Sequence, residues 1–424
     1  MRASAFCFSI GIAAVLVSGL PNPAEAAFIR APWVQDAGKN TVTIAWEAEA
    51  AGGTQNLVWG AGTAMDQTTA GTLKSGKLYT ATLNGLTASS NFSYKVVSGA
   101  GTSTSATFIT APATATEPFR FDVYGDNRTQ TTPHTNVVNA MIATAPDFAI
   151  NTGDLADIPS TQNYNQFFGI EKTFLASTVM FPVPGNHDTI SDYQYGFNRP
   201  NWYAFQWGNV YFVAISTDDS YGAGSVQYAF VEQALQTAKA DPTVKWIVAY
   251  HHFPVYSSSS HGSTPGQAMV DLNNLYKANG VDIVFNGHDH DYERSELDGI
   301  EYIVAGGGGA PPYMAYATCP GHVISESVYS FVKVDVDGAD NLVITGQRTD
   351  GTVIDTKTLS KASTGGTPTP TPTPAPSGTP GADPGMSTTH GSGCDLGSLA
   401  GTATSFGPGL LGLAAVVALL RRRR

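Results

Sequence analysis

The sequence predicts an α/β layered domain carried behind a smaller all-β domain, and three observations lead there. From Phe119 onward, strand-length apolar runs alternate with helix-length amphipathic ones. From Phe28 to about Pro112, short alternating segments follow one another across Gly and Asn turns, with no helical period between them. Within the later region, five strand ends finish in Asp, Asn or His, the residue types that hold metal ions. The 424-residue length leaves room for two or three domains with at least one large core.

Met1-Arg2, the apolar run through Ile10 to Val17 and the small residues Ala24-Glu25-Ala26 have the three parts of a secretory signal, so cleavage is expected after Ala26. Residues 27–112 contain alternations such as Thr41 to Trp46, Leu78 to Leu83 and Phe92 to Val97. About seven short strands in such a length fit a sandwich of immunoglobulin or fibronectin type III character. This region contains no cluster of His, Cys or carboxylates, so its expected role is packing, substrate framing or display.

A short linker, Ala111 to Glu117, separates it from the α/β region at 117–361. There the strands Phe119 to Tyr124, Phe148 to Asn151, Val179 to Val183, Val210 to Ser216, Val244 to Tyr250 and Val281 to Phe285 are predicted. The helices are placed at Thr135 to Ala143, Val226 to Ala240 and Gln267 to Asn279. Strands Ile300 to Ala305, Phe331 to Val336, Leu342 to Thr345 and Val353 to Leu359 follow without helices, so the sheet is expected to be mixed or doubled. The segments Ile158 to Tyr164 and Asp192 to Asn201 are taken as substrate-facing loops.

Residues 363–393 form a Thr-Pro repeat followed by Gly and Ser, an extended spacer with no means of building a core. Residues 394–424 hold Cys394, an apolar stretch and Arg421 to Arg424. That layout resembles bacterial sorting tails of the myxosortase or rhombosortase type, which implies a membrane or cell-surface attachment and makes Cys394 a processing or lipidation site. With Cys7 in the signal and Cys319 alone in the body, the three cysteines make no disulfide framework. Charged residues are only 13% of the chain and the net charge is −12, with no basic cluster before the last four residues. A nucleic-acid-binding surface is therefore not expected.

The strand-end clusters run Gly125-Asp126-Asn127-Arg128, Gly153-Asp154-Leu155-Ala156-Asp157, Gly185-Asn186-His187-Asp188, His251-His252-Phe253-Pro254 and Gly287-His288-Asp289-His290. Ligands of open α/β sheets bind outside the carboxyl ends of strands, so all five can converge on one crevice. Their order resembles the calcineurin-like metallophosphoesterases, and the continuation Asp291-Tyr292-Glu293-Arg294, with His261 nine residues after His252, is similar to the purple acid phosphatases among them. The resemblance covers roughly Phe28 to Leu359. It implies a four-layer αββα metallophosphoesterase sandwich behind the β-sandwich.

It also implies two divalent or trivalent ions, Fe, Zn or Mn. Asp126, Asp154 and His290 would hold one, and Asp154, Asn186, His252 and His288 the other, with Asp154 bridging. His252 rather than His251 is the expected ligand, because the family places it two residues before the proline. The resemblance makes the reaction an attack on a phosphate ester, in line, by water that the ions activate. His187 would contact the phosphoryl group and protonate the leaving alkoxide, Asp188 would orient its ring, and His261 would bind or protonate the same group. Two positions depart from the pattern. Asp157 stands where purple members have tyrosine, so no purple colour is expected. Asp157 supplies an oxygen ligand or pairs with Arg128, which stands where Gly or His is usual; alternatively, Arg128 holds a phosphate oxygen. Gly306 to Gly309 is read as a close backbone turn beside the site, since no Gly-Lys-Ser/Thr follows. The reading is a secreted phosphomonoesterase of acid phosphatase type; alternatives are a phosphodiesterase and a catalytically silent surface module. Oligomeric state has no signature in the sequence.

Overall fold

The structure, a computed structural model, describes residues 27–361 apart from 100, 129, 263–265 and 316–318. The signal, the spacer and the sorting tail, with Cys7 and Cys394, lie outside the described residues. Residues 28–109 form two antiparallel sheets. One orders Phe28–Ala37, Thr41–Ala48, Leu78–Asn84 and Thr72–Ser75; the other joins Gln67–Ala70, Gln55–Ala61, Asn91–Ser98 and the short strands Gly101–Thr102 and Ala106–Ile109. Alternation drives this arrangement. Val42, Ile44 and Trp46 of one strand, with Leu57, Tyr94 and Val96 of the facing sheet, are buried, while Thr41, Thr43, Lys95 and Val97 are less so.

The α/β region is doubled, as its helix-free second half predicts. A six-stranded sheet runs Val179–Pro182, Phe148–Asn151, Phe119–Tyr124, Ser330–Val336, Asn341–Arg348 and Val353–Ser360. Its first three strands are parallel and the rest antiparallel. A seven-stranded sheet runs Tyr203–Trp207, Val210–Ala214, Trp246–Tyr250, Ile283–Asn286, Ile300–Ala305, Tyr292–Leu297 and His322–Glu326, with the four strands from Val210–Ala214 to Ile300–Ala305 parallel. The sheets face each other across an aromatic core. Phe121 meets Phe212 edge-on at 5.3 Å between ring centres, and Phe148 tilts against Trp207 at 4.9 Å. Helices Thr131–Thr144 and Thr161–Leu175 cover the outer face of the first sheet, and Val226–Ala240 and Gln267–Asn279 that of the second. The four layers are α, β, β, α.

Two expected loops are helical. Thr161–Leu175 buries Tyr164, Phe167, Phe168, Glu171, Phe174 and Leu175, a helical stripe that the surrounding Asn, Gln and Thr obscure, and Ser160 caps it by accepting from the Asn163 amide at 3.2 Å. Ile190–Phe197 is a second, shorter helix. The first helix starts at Thr131 rather than Thr135, because Pro133 lies in its first turn, where a missing N–H costs nothing. The strands Tyr203–Trp207, Tyr292–Leu297 and His322–Glu326 were not foreseen.

The missed helix joins the two regions. Trp33 packs on Phe168 at 4.8 Å, Arg30 donates to Asn165 at 2.8 Å, and the Tyr94 hydroxyl donates to the Ala176 carbonyl. Arg30 is also ion-paired with Glu47 at 3.2 Å in a nearly dry setting. On its other face the helix supplies Glu171, whose Oε1 accepts from Tyr124 at 2.7 Å and lies 2.8 Å from His134 Nε2, tying both helices to the strand that leads into the first cluster.

Asp122 faces the same layer. Thr144 donates to its Oδ2 at 2.5 Å, while Oδ1 has no hydrogen-bond partner. Burial pushes its carboxyl up from the ordinary 3.8 to about 8, against the Thr144 hydrogen bond. A carboxyl whose folded pKa exceeds its unfolded one holds its proton more tightly in the folded protein. Its stabilising contribution is complete below about pH 4 and fades as pH rises to about 8. Asp122→Asn should therefore lose less Tm than the wild type between about pH 5 and pH 8. Parallel pH slopes for the two proteins would remove Asp122 as the source.

Candidate metal centre

All five clusters emerge at the carboxyl ends of parallel strands, three from one sheet and two from the other, at the seam between the sheets. Backbone hydrogen bonds lock them together. The Asp126 amide donates to the Gly153 carbonyl, Asn127 to Asp154, His251 to Phe285, and Gly287 to His252. The turns are tight. A Cβ on Gly185 would lie 2.4 Å from Asp154 Oδ1, and one on Gly287 2.6 Å from Asp126 Oδ2, so only glycine lets these backbones approach the carboxylates. Asp126, Asp154 and His288 themselves adopt left-handed backbone, with φ of 58°, 56° and 71°. Such strain in non-glycine residues persists where a site needs it.

The ligand-type atoms converge. Asp126, Asp154 and His252 each offer one atom within 4.8 Å of the others. Asp126 Oδ2 accepts from the His288 amide at 2.9 Å, and Oδ1 lies 3.6 Å from His290 Nε2. Asp154 Oδ1 accepts from the His187 amide at 2.9 Å and lies 3.3 Å from His252 Nε2. Asn186 Oδ1 is 3.0 Å from both His252 Nε2 and His288 Nδ1. The two sets expected from the sequence are thus spatial groups, with Asp154 between them.

His252 and His251 separate cleanly. His252 places Nδ1 3.0 Å from the Thr152 carbonyl and aims Nε2 at Asn186 and Asp154. His251 turns the other way, with Nδ1 2.8 Å from the Phe253 carbonyl and its ring over Tyr276, and burial holds it down at about 4.

The electrostatics leave this cluster short of positive charge. Burial, then the charge of Asp154, pushes the Asp126 carboxyl well above the usual range. Burial, then His252 and His261, lowers His288 to about 2, and burial lowers His290 to about 4, so both imidazoles are neutral near pH 7. Asp126 Oδ1 and Asp154 Oδ2 are buried without a hydrogen-bond partner. His252, its Nδ1 at the Thr152 carbonyl, turns Nε2 to two more acceptors, Asn186 Oδ1 and Asp154 Oδ1. Buried carboxylate oxygens and lone pairs meeting without donors are what a multivalent cation satisfies, so these residues fit a metal centre.

Around it stand the remaining predicted residues. His187 Nδ1 lies 2.8 Å from the Asp157 carbonyl. Asp188 does not orient that ring. Its carboxylate accepts instead from the Gly185 amide at 2.9 Å, from the Leu155 and Ala156 amides and from the Tyr164 hydroxyl, bracing the turns that carry Asp154 and Asn186. The correction is physical: a buried carboxylate beside four donors folds back onto them rather than reaching forward. His261 joins the site, its Nδ1 2.8 Å from Asp289 and its ring 4.1 Å from that of His288. Arg128 reaches Asp154, His187, His290 and Asp157. Gly306 to Gly309 passes as bare backbone: Gly308 donates to the Gly125 carbonyl, and Ala310 to that of Asp126.

Two neighbours were missed. Asp218 follows the strand Val210–Ala214, and burial raises its carboxyl to about 6 while His252 opposes the shift. The acidic pair Asp218-Asp219 after a strand was the available signal. Tyr313 stacks on His290 at 3.9 Å and donates its amide to the His290 carbonyl at 2.8 Å. Nothing local in the sequence marks it, because its loop reaches the site only by folding back past Gly309.

Residues 119–292, which carry the strand-end clusters from Asp126 to His290, match the calcineurin-like phosphoesterase family. Among curated proteins the likeness is to purple acid phosphatases. It is 36% identical to purple acid phosphatase 15 of Arabidopsis thaliana over 162 residues, 35% of this chain and 29% of that protein. It is 34% identical to Fe(3+)-Zn(2+) purple acid phosphatase 12 of Arabidopsis thaliana over 114 residues, 26% of this chain and 24% of that protein. The chain thus matches less than a third of the length of these relatives. In fold it is similar to a purple acid phosphatase from yellow lupin (Lupinus luteus) seeds, with a TM-score of 0.70 and 20% identity, covering 81% of this chain and 78% of that one.

Proposed function

We propose that the protein is a secreted, surface-attached phosphomonoesterase with a dinuclear metal centre, acting in the manner of an acid phosphatase. The observation that carries this is the convergence of Asp126, Asp154, Asn186, His252, His288 and His290 around carboxylate oxygens that have no donor. Asp126, Asp154 and His290 would hold the first ion, and Asp154, Asn186, His252 and His288 the second. One relative is an Fe(3+)-Zn(2+) purple acid phosphatase, and the donor set of carboxylate, amide oxygen and imidazole here suits Fe, Zn or Mn. When bound, the ions polarise the phosphate ester and activate water for attack on phosphorus.

The chain's own side chains do the rest. His187, its Nδ1 fixed on the Asp157 carbonyl, presents Nε2 toward the crevice and delivers a proton to the leaving oxygen. His261, anchored through Nδ1 to Asp289, presents its other nitrogen to a phosphoryl oxygen. Export follows from the leader at 1–26 and surface attachment from the tail at 394–424, as the sequence suggests.

A side-by-side assay of an aryl phosphate and a bis-aryl phosphate on metal-reconstituted protein tests the substrate class. The monoester should turn over faster. Preferential cleavage of the diester would replace this reading with a phosphodiesterase.

A further inference from the structure

We infer that Arg128 is a built-in cation that competes with the first metal ion, so that the two ions of the centre bind in sequence and with unequal strength. The inference rests on the dinuclear reading above. Its starting point is where the guanidinium lies. Nη2 is 3.1 Å from His290 Nε2, Nε is 3.2 Å from Asp154 Oδ2, and Nη1 is 3.3 Å from His187 Nδ1.

His290 decides the matter. Its Nδ1 lies 2.9 Å from the Pro311 carbonyl, which can only accept, so Nδ1 bears the proton and Nε2 carries the single in-plane lone pair of the neutral ring. That lone pair serves an N–H of Arg128 or a metal ion, not both. Asp154 Oδ2 has no hydrogen-bond partner and Arg128 Nε as its close cationic neighbour. Arginine stays charged at any working pH, so it cannot yield by losing a proton; it has to move. The second set is different. The hydrogen bonds and ion pairs that place Arg128 do not include Asn186, His252 or His288.

There is somewhere for it to go. Asp157 Oδ1 is 3.6 Å from Nη1, and both residues line a cavity of about 100 Å³ with Asn127, Gln130, Asn163 and Gln166. A guanidinium swung there keeps a carboxylate partner and polar walls. Aspartate in place of the family's tyrosine and arginine in place of Gly or His then form one device, a displaceable cation with its own parking place. The second set loads first, and the first set fills only when Arg128 leaves.

The test is a zinc titration of the full chain after chelation, followed by dialysis and elemental analysis, on wild type, Arg128→Ala and Arg128→Lys. The wild type should retain one zinc per chain and hold the second at least about tenfold more weakly, the scale on which neighbours of metal ligands act. Arg128→Ala should tighten that weaker site by a similar factor and retain two, with Arg128→Lys between them. His290→Ala, in either background, should retain the tight ion and lose the weak one. Two equivalent zinc sites in the wild type, or an Arg128→Ala protein no better at retaining the second ion, would overturn the inference and leave the dinuclear reading standing. Zinc retained by none of the proteins would overturn both.

Discussion

Asp154→Asn should lower phosphate release by about 10³-fold or more, because on the proposed function several kcal/mol of transition-state stabilisation would depend on the ions it would hold and each ~1.4 kcal/mol is a factor of ten. Asp154 is the one side chain shared by both spatial groups, 3.3 Å from His252 and 3.2 Å from Arg128. The amide keeps its shape and loses its charge, so the backbone hydrogen bond from His187 can survive while a bridging carboxylate is gone. Stability should move the other way. The charge of Asp154 is one of the causes that push Asp126 up, so removing it relieves a buried repulsion. Metal-free Asp154→Asn should therefore melt no lower than metal-free wild type, whereas the rise in Tm that metal gives the wild type should be largely lost. A variant that melts early without metal would mean that Asp154 is structural and that lost activity says nothing about ions.

His187→Ala should cost about 10² to 10⁴-fold in kcat, the usual range for a lost proton donor, on a substrate that needs one. The size should depend on the leaving group. An alkyl phosphate expels a strongly basic alkoxide and needs the proton, whereas an activated aryl phosphate expels a weakly basic aryloxide and needs it far less. The anchoring of Nδ1 on the Asp157 carbonyl, 2.8 Å away, leaves Nε2 as the atom that can deliver it. Parallel kinetics on the two substrates should show a steep loss for the alkyl ester and a shallow one for the aryl ester. Equal losses would make His187 a phosphate-binding group rather than an acid. The Asp188→Asn variant should instead act through stability, since Asp188 braces backbone amides and Tyr164 rather than the His187 ring.

The clusters were legible for a topological reason. Each follows a parallel strand, and parallel strands deliver their carboxyl ends to one edge of a sheet, so short local signals at 126, 154, 186, 252 and 288 add up to one place. The choice of His252 over His251 rested on the spacing to Pro254; in the structure His252 Nε2 faces Asn186 while His251 Nδ1 faces the Phe253 carbonyl. What escaped reading depended on neighbours distant in sequence. The helix Thr161–Leu175 has a regular apolar stripe, but its Asn, Gln and Thr content and Gly169 dilute the local signal, and the face it presents to Trp33 of the β-sandwich secures it. Asp188 resembles a catalytic partner in sequence, yet the donors that capture it are Gly185 of its own turn, Leu155 and Ala156 of the Asp154 turn, and Tyr164 of a helix. Arg128 could be paired with Asp157 from sequence, but its reach to His290, 162 residues away, appears only when the two sheets close on each other.

The central claim, that hydrolysis of phosphate esters here depends on metal ions held by these strand-end residues, is tested most directly by elemental analysis of the purified full chain paired with a phosphate-release assay. Both should be made before chelation, after it, and after adding iron, zinc or manganese back. Metal should be bound at purification and approach two ions per chain when supplied in excess; phosphate release should be lost with the metal and recovered on its return. Undiminished phosphate release from protein shown to be metal-free would contradict the claim.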